Sequence, residues 1–375
     1  MNLTVIYVVK TFPHIAWTTG ILFLLLSPVT IIGNGLVLIS ILCDPYKNIR
    51  SAPSSYIIFN LALADLLVGV LVEPIFVVWI FHTITEQTEF IVMKLVSPLT
   101  YLLLGVSICT LVFLSADRLI AIRTPLQYGC TVSKNKYKVV NISTWIYFAV
   151  YAICIMEFQS QKRIFRITAI VHVVTLPLAL SILNIVVVYY VRIRGRILTK
   201  TLDSENTAAM QTAFNREKTV ARTTGIMVAA FLICVFLYGV ISTVNLLFEK
   251  EDGLEVQRIL TWMYYAGLTL IYLNSLMNPF IYAWRLPKYK KAFRYFVIQI
   301  KNKLSVSAMQ NERVWSSHCA EEPNYKCKHT QRSRELPRSH IIYPPEIKQT
   351  ICHSKLEGIA KYTERDDKTV ENTKL

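Results

Sequence analysis

Seven stretches of mostly apolar residues recur along the chain, at 17–42, 54–80, 90–122, 139–156, 167–191, 223–248 and 259–284, with short polar segments between them. A helix rises about 1.5 Å per residue, so roughly 20 apolar residues cross the hydrocarbon core of a bilayer, about 30 Å thick. In lipid each backbone N–H and C=O has to be satisfied inside the segment, which makes helices the natural form of such runs. The pattern therefore predicts an all-α membrane protein, a seven-transmembrane helix bundle over residues 17–284. After it, Tyr289, Ala292, Phe293, Phe296, Val297 and Ile300 share one helical stripe, with Lys288, Lys290, Lys291 and Arg294 elsewhere. This predicts a short amphipathic membrane-surface helix over 285–300. From 301 to 375 the chain is polar and rich in Lys, Ser, Thr and Glu, and is read as a disordered cytoplasmic tail.

Composition agrees: of 375 residues 53% are hydrophobic and 17% charged. A surplus of 40 Lys+Arg over 24 Asp+Glu would suggest nucleic acid in a soluble protein, but its distribution excludes that partner. The positive charge lies in alternate loops: Lys47 and Arg50; Arg123, Lys134, Lys136 and Lys138; Arg192, Arg194, Arg196, Lys200, Arg216 and Lys218. Glu86, Glu89, Glu249, Glu251, Asp252 and Glu255 mark the other side, although Lys162, Arg163 and Arg166 break the alternation. The positive-inside rule then predicts a multi-pass plasma-membrane protein with an extracellular N-terminus, residues 1–16, and a cytoplasmic C-terminus. No cleavable leader is expected. Asn2 begins a glycosylation sequon on the outer side. None of the eight cysteines forms an extracellular pair, so reduced thiols are expected.

Polar side chains inside such helices carry the chemistry, because an Asp at mid-depth costs about 2.5–3.5 kcal/mol on insertion scales. Asn34, Asp65, Ser107, Asn274 and Asn278 stand within the runs. If they meet, they form either an oxygen cage suited to a small hard cation or a hydrogen-bonded network without an ion.

The ordered set then becomes specific. Asn34 in the first run, Leu61-Ala62-Leu63-Ala64-Asp65 in the second, Asp117-Arg118 closing the third, Trp145 in the fourth, Pro177 in the fifth and Asn278-Pro279-Phe280-Ile281-Tyr282 in the seventh follow one another, one element per span. Over roughly residues 20–300 the chain resembles the rhodopsin-like (class A) G-protein-coupled receptor family. The resemblance implies a sodium ion at Asp65, Ser107, Asn274 and Asn278, and no other cofactor. It implies a G-protein switch of Asp117, Arg118, Glu217, Pro279 and Tyr282, with Leu119 where the family's motif has Tyr. A connector of Ile108, Pro177 and Phe231 is implied below the pocket. Implied partners are an extracellular small molecule or peptide, a heterotrimeric G protein activated by outward movement of helix six, and arrestin and receptor kinases at the tail.

By the same resemblance the ligand-binding residues are Glu73, Thr100, Tyr101, Leu104, His172, Tyr238, Ser242, Tyr264, Tyr265, Leu268 and Tyr272, in the outer part of the bundle. Thr100 stands where amine receptors carry an Asp, so the usual amine contact is missing. Helix six has Val235 and Leu237 in place of the family's Trp and Pro, Ile185 replaces a tyrosine, and Met93 replaces the cysteine that ties helix three to the second outer loop. The missing disulfide and the short second outer loop are shared in part with melanocortin, adenosine and cannabinoid receptors, although Pro177 argues against simple membership. No Lys in 259–284 excludes a retinal Schiff base. The spans exclude a soluble enzyme, and no catalytic constellation lies in the loops. A receptor-like binder that does not signal, and a transporter, are the alternative readings; inverted repeats or rings of charge, which a transporter would show, are not found.

Overall fold

The computed structural model describes residues 13–84, 90–124, 128, 133–157, 162–200, 205–247 and 253–321. The helices are α1 (Pro13–Cys43), α2 (residues 55–84), α3 (Phe90–Arg123), α4 (Lys134–Glu157), α5 (Lys162–Lys200), α6 (Glu205–Leu247), α7 (Leu254–Arg285) and α8 (Pro287–Glu321). No strand occurs among the described residues. The bundle belongs to one compact unit, Met1–Phe296, and α8 from Val297 onward belongs to a second. The helix continues to Glu321, beyond the 285–300 expected from its apolar stripe.

Within the bundle α3 packs against α2, α4, α5 and α6, while α7 packs against α6, α1 and α2. Among the described residues, five stretches are long and apolar enough to cross a bilayer by composition alone: Pro13–Cys43, Ser55–Phe81, Pro98–Arg123, Val174–Leu198 and Met210–Ile241. α4 opens on Lys134, Lys136 and Lys138, and α7 carries Asn274 and Asn278; both join the bundle by packing. The outward surface is apolar, with Leu24, Ile32, Phe236 and Trp284 each more than half exposed, as lipid-facing positions require.

Two helices are longer than their hydrophobic runs. α5 continues to Lys200 and α6 starts at Glu205, against the expected 191 and 223. A separate apolar cluster of Ile122, Val187, Leu198, Phe214 and Ala221 holds these extensions together with the end of α3. Sequence hydropathy averages over this amphipathic seam and so misses it.

α2 is not a uniform helix. It runs as Ser55–Leu67, a π-helical turn at Val68–Val72, and Glu73–Ile84. Pro74 has no N–H, and its ring would meet the carbonyl one turn back; the π turn accommodates it. The Glu73 N–H reaches the Val68 carbonyl instead of Gly69. The freed Gly69 carbonyl accepts a hydrogen bond from Ser27 Oγ on α1 at 2.9 Å.

One close approach depends on glycine. A Cβ at Gly105 of α3 would lie 2.2 Å from the Phe148 ring of α4. Gly105→Ala should therefore lower the stability of the solubilised protein by about 1–3 kcal/mol through overpacking. Thermal unfolding in detergent checks this, and an unchanged midpoint would mean that α4 yields without strain.

Candidate functional site

Three polar constellations lie along the bundle axis. At the end where α7 passes into α8, Arg118 of α3 is almost completely buried, at 2% exposure. Its Nη1 donates to Glu217 Oε2 of α6 at 2.7 Å. Its Nε donates to Asp117 Oδ2 at 3.0 Å, and Nη2 reaches the same carboxylate. Nη2 also donates to the Tyr128 hydroxyl at 3.1 Å. Asp117 Oδ1 accepts from Tyr128 at 2.6 Å and from Tyr137 at the start of α4. Burial, followed for Tyr137 by the neighbouring Asp117 charge, pushes that phenol far above its usual range. Burial likewise raises the Tyr128 phenol, so both tyrosines keep their protons and act as donors. The buried guanidinium thus faces two carboxylates in a charge-assisted network, which a surface pair would lack.

The turn before α2 frames this end. Asp44, at φ 35°, accepts backbone N–H bonds from Asn48, Ile49 and Arg50 at 3.0, 3.1 and 2.9 Å. Lys288 of α8 donates to the Asn48 carbonyl at 2.8 Å. Tyr282 is buried and stacks on Tyr289, ring centroids 5.5 Å apart, and Pro279 lies against Gly33 of α1.

The second constellation sits at mid-bundle. Asp65 Oδ2 accepts from Asn278 Nδ2 at 2.6 Å and Oδ1 from Ser107 Oγ at a long 3.5 Å. Asn274 and Ser275 line the same cavity. Asn34 joins α1 to α7 by donating to the Ser275 carbonyl at 3.0 Å, and its own Oδ1 is buried without a donor among the described residues. One carboxylate, hydroxyls and amide oxygens fit a hard monovalent cation, with Asp65 supplying the charge. Next to it Asn60 accepts from Trp145 Nε1 at 2.8 Å and donates to Thr110 at 2.8 Å, tying α2, α3 and α4. Ile108 and Phe231 share one buried cluster, and Pro177 lies half-buried on α5.

Toward the opposite end, the cavity above Asp65 is lined by Leu104, Thr100 and Tyr272. Thr100 Oγ1 and the Tyr272 hydroxyl are 3.1 Å apart. Tyr265, Leu268 and Tyr272 are buried in one aromatic core, with Tyr238 and Tyr264 against it. His172 turns instead to α4, bonding the Tyr147 hydroxyl at 2.7 Å and packing on Tyr151. Tyr101 is partly exposed and also meets Tyr151. Glu73 is fully buried and faces Thr30 of α1. The Ser242 side chain and Asn2 lie outside the described residues.

The decisive comparison is with family models: residues 33–282 match that of the 7 transmembrane receptor (rhodopsin family). The chain belongs to this family. It is thus a multi-pass membrane receptor of the G-protein-coupled class and not an enzyme. The chain is 22% identical over 295 residues to mouse (Mus musculus) trace amine-associated receptor 1, covering 72% of this chain and 85% of the relative. With trace amine-associated receptor 13c of Danio rerio it shares 25% over 308 residues, 76% of this chain and 87% of the relative. With the Homo sapiens alpha-1A adrenergic receptor it shares 26% over 315 residues, 70% and 64% of the two chains. None of these three is a melanocortin, adenosine or cannabinoid receptor.

Tyr128, Tyr137, Ser275 and Thr30 join these constellations without a sequence signal of their own. Each is a common residue that becomes informative only when a second helix is brought against it. Leu119 in the Asp-Arg-Leu triplet was the available hint, since it leaves Asp117 without a tyrosine neighbour in sequence.

Proposed function

We propose that the chain is a plasma-membrane receptor, N-terminus outside and C-terminus in the cytoplasm, that binds a ligand in the outer bundle and releases a G-protein site at the α8 end. The supporting observation is the buried Arg118–Glu217 pair at 2.7 Å, which joins α3 to α6. Outward movement of α6 separates the two and uncovers Arg118 for the partner. The Asp65 cavity holds sodium while the bundle is closed, through Asp65, Ser107, Asn274 and Asn278. Arrestin and receptor kinases act on the tail. The names of the relatives point to an amine ligand; with Thr100 in helix three, its positive charge needs a different anchor.

The test is a ligand panel read through cAMP and calcium in cells expressing the chain. Arg118→Ala should reduce G-protein output by more than about tenfold at matched surface expression, because the same arginine meets the partner once the bundle opens. Undiminished output from that variant would reject the switch, and binding without any second-messenger change would favour a receptor-like binder.

A further inference from the structure

Glu73 is an acid without adequate partners in the core of a membrane protein. Its side chain is fully buried. Oε1 accepts from the Thr30 hydroxyl at a long 3.4 Å, and Oε2 has no donor among the described residues. Asp65, two turns along the same helix, has a donor on each oxygen. An isolated carboxylate in such a medium is strongly disfavoured, so Glu73 holds its proton until a cation pairs with it.

The backbone is built to aim this residue inward. The π turn at Val68–Val72 adds one residue to the winding directly before Glu73, turning it by about 100° relative to an uninterrupted α-helix. One turn on along α2, Phe76 sits in an aromatic cluster. Phe76 lies 5.0 Å from Phe23, 5.1 Å from Trp79, 6.3 Å from Tyr265 and 6.4 Å from Tyr272, centroid to centroid. The Tyr265 hydroxyl is buried without a hydrogen-bond partner among the described residues. Tyr272, in the same cluster, shares its hydroxyl with Thr100, which lines the cavity leading down to Asp65.

We propose that Glu73 is the counter-ion for a ligand ammonium group, held between α2 and α7 by Glu73, Tyr272 and Thr100 within an aromatic wall. The charge is received on α2, in place of the missing carboxylate on α3. A metal ion would want several carboxylate or carbonyl oxygens, and no group of three or more acids, His or Cys gathers among the described residues. One carboxylate, two hydroxyls and five rings instead suit an alkylammonium, which gains from ring faces as well as from the charge. The assignment rests on the receptor reading above.

The experiment uses the full chain in cells, with a panel of primary arylalkylamines and alkyl diamines and the alcohol isostere of each. At least one amine should activate, and its alcohol should be weaker by about a hundredfold. Glu73→Gln should lower the potency of the active amine about a hundredfold, and Glu73→Asp, which keeps the charge but draws it back by one methylene, should lower it only about tenfold. Adding Glu217→Ala to Glu73→Gln keeps folding visible, since the raised basal signal of the former should persist. Where that signal persists but no amine acts, or acts equally on Glu73→Gln, the anchor is overturned while the receptor reading stands. If Glu73→Gln does not reach the surface, Glu73→Asp decides: amine potency should fall while the alcohol's stays put, and no change in either overturns the anchor. A Glu217→Ala variant with no basal change in an otherwise coupling receptor would fault the switch instead.

Discussion

Replacing Glu217 with alanine is expected to raise ligand-independent signalling about tenfold. The arithmetic is that of a two-state equilibrium, in which about 1.4 kcal/mol favouring the closed bundle suppresses the open population by a factor of ten. Exposed ion pairs contribute less than about 1 kcal/mol because water and salt screen them. This pair is better placed: the Arg118 side chain is 2% exposed and Glu217 16%, and the guanidinium is already fixed by Asp117 and Tyr128. Little side-chain entropy remains to be lost when Nη1 meets Glu217. Truncation leaves Arg118 with its Asp117 partner, so the arginine remains satisfied and folding should survive. A competing balance comes from the apolar seam of Ile122, Val187, Phe214 and Ala221, which also joins α3, α5 and α6. Unchanged basal signalling at matched surface expression, in a receptor shown to couple, would assign the closed state to that seam.

Asp65→Asn should abolish the effect of sodium on agonist affinity. Wild-type affinity should fall about tenfold as sodium replaces a large organic cation at constant ionic strength, since an ion bound only to the closed bundle opposes any ligand that prefers the open one. Asp65 supplies the only carboxylate among the residues lining that cavity, so an amide there removes the charge while preserving the shape. Asn278 can go on donating to the oxygen of the new amide, while the NH2 of that amide donates to Ser107 Oγ, whose hydroxyl rotates to accept. Equal sodium sensitivity in the variant and wild type would reject the ion site and leave a plain polar network.

The helices and their order were legible because hydrophobic runs of membrane length leave few alternatives. Asp65, Asn278, Arg118 and Glu217 were legible as polar groups where polarity is costly, and the structure brings each pair together. What the sequence conceals is orientation around each helix axis. Glu73 meets Thr30 of α1 directly after a π turn beside Pro74, which a uniform 3.6-residue period does not foresee. His172 faces α4 through a tyrosine hydroxyl that no pattern marks. Tyr137 lies nineteen positions beyond Arg118, and only the packing of α4 on α3 brings it to Asp117. The extended ends of α5 and α6 depend on an interhelical seam that single-helix hydropathy does not register.

The central claim is that Arg118 and Glu217 hold α3 and α6 together in the resting receptor and part on activation. Spin labels at Asn135 of α4 and Asn215 of α6, both exposed, measure it by pulsed dipolar spectroscopy on the full chain in lipid nanodiscs. The resting receptor should give one short distance, and either Glu217→Ala or a nucleotide-free G protein should add a population several ångströms longer. The same single distribution in all three samples would contradict the account.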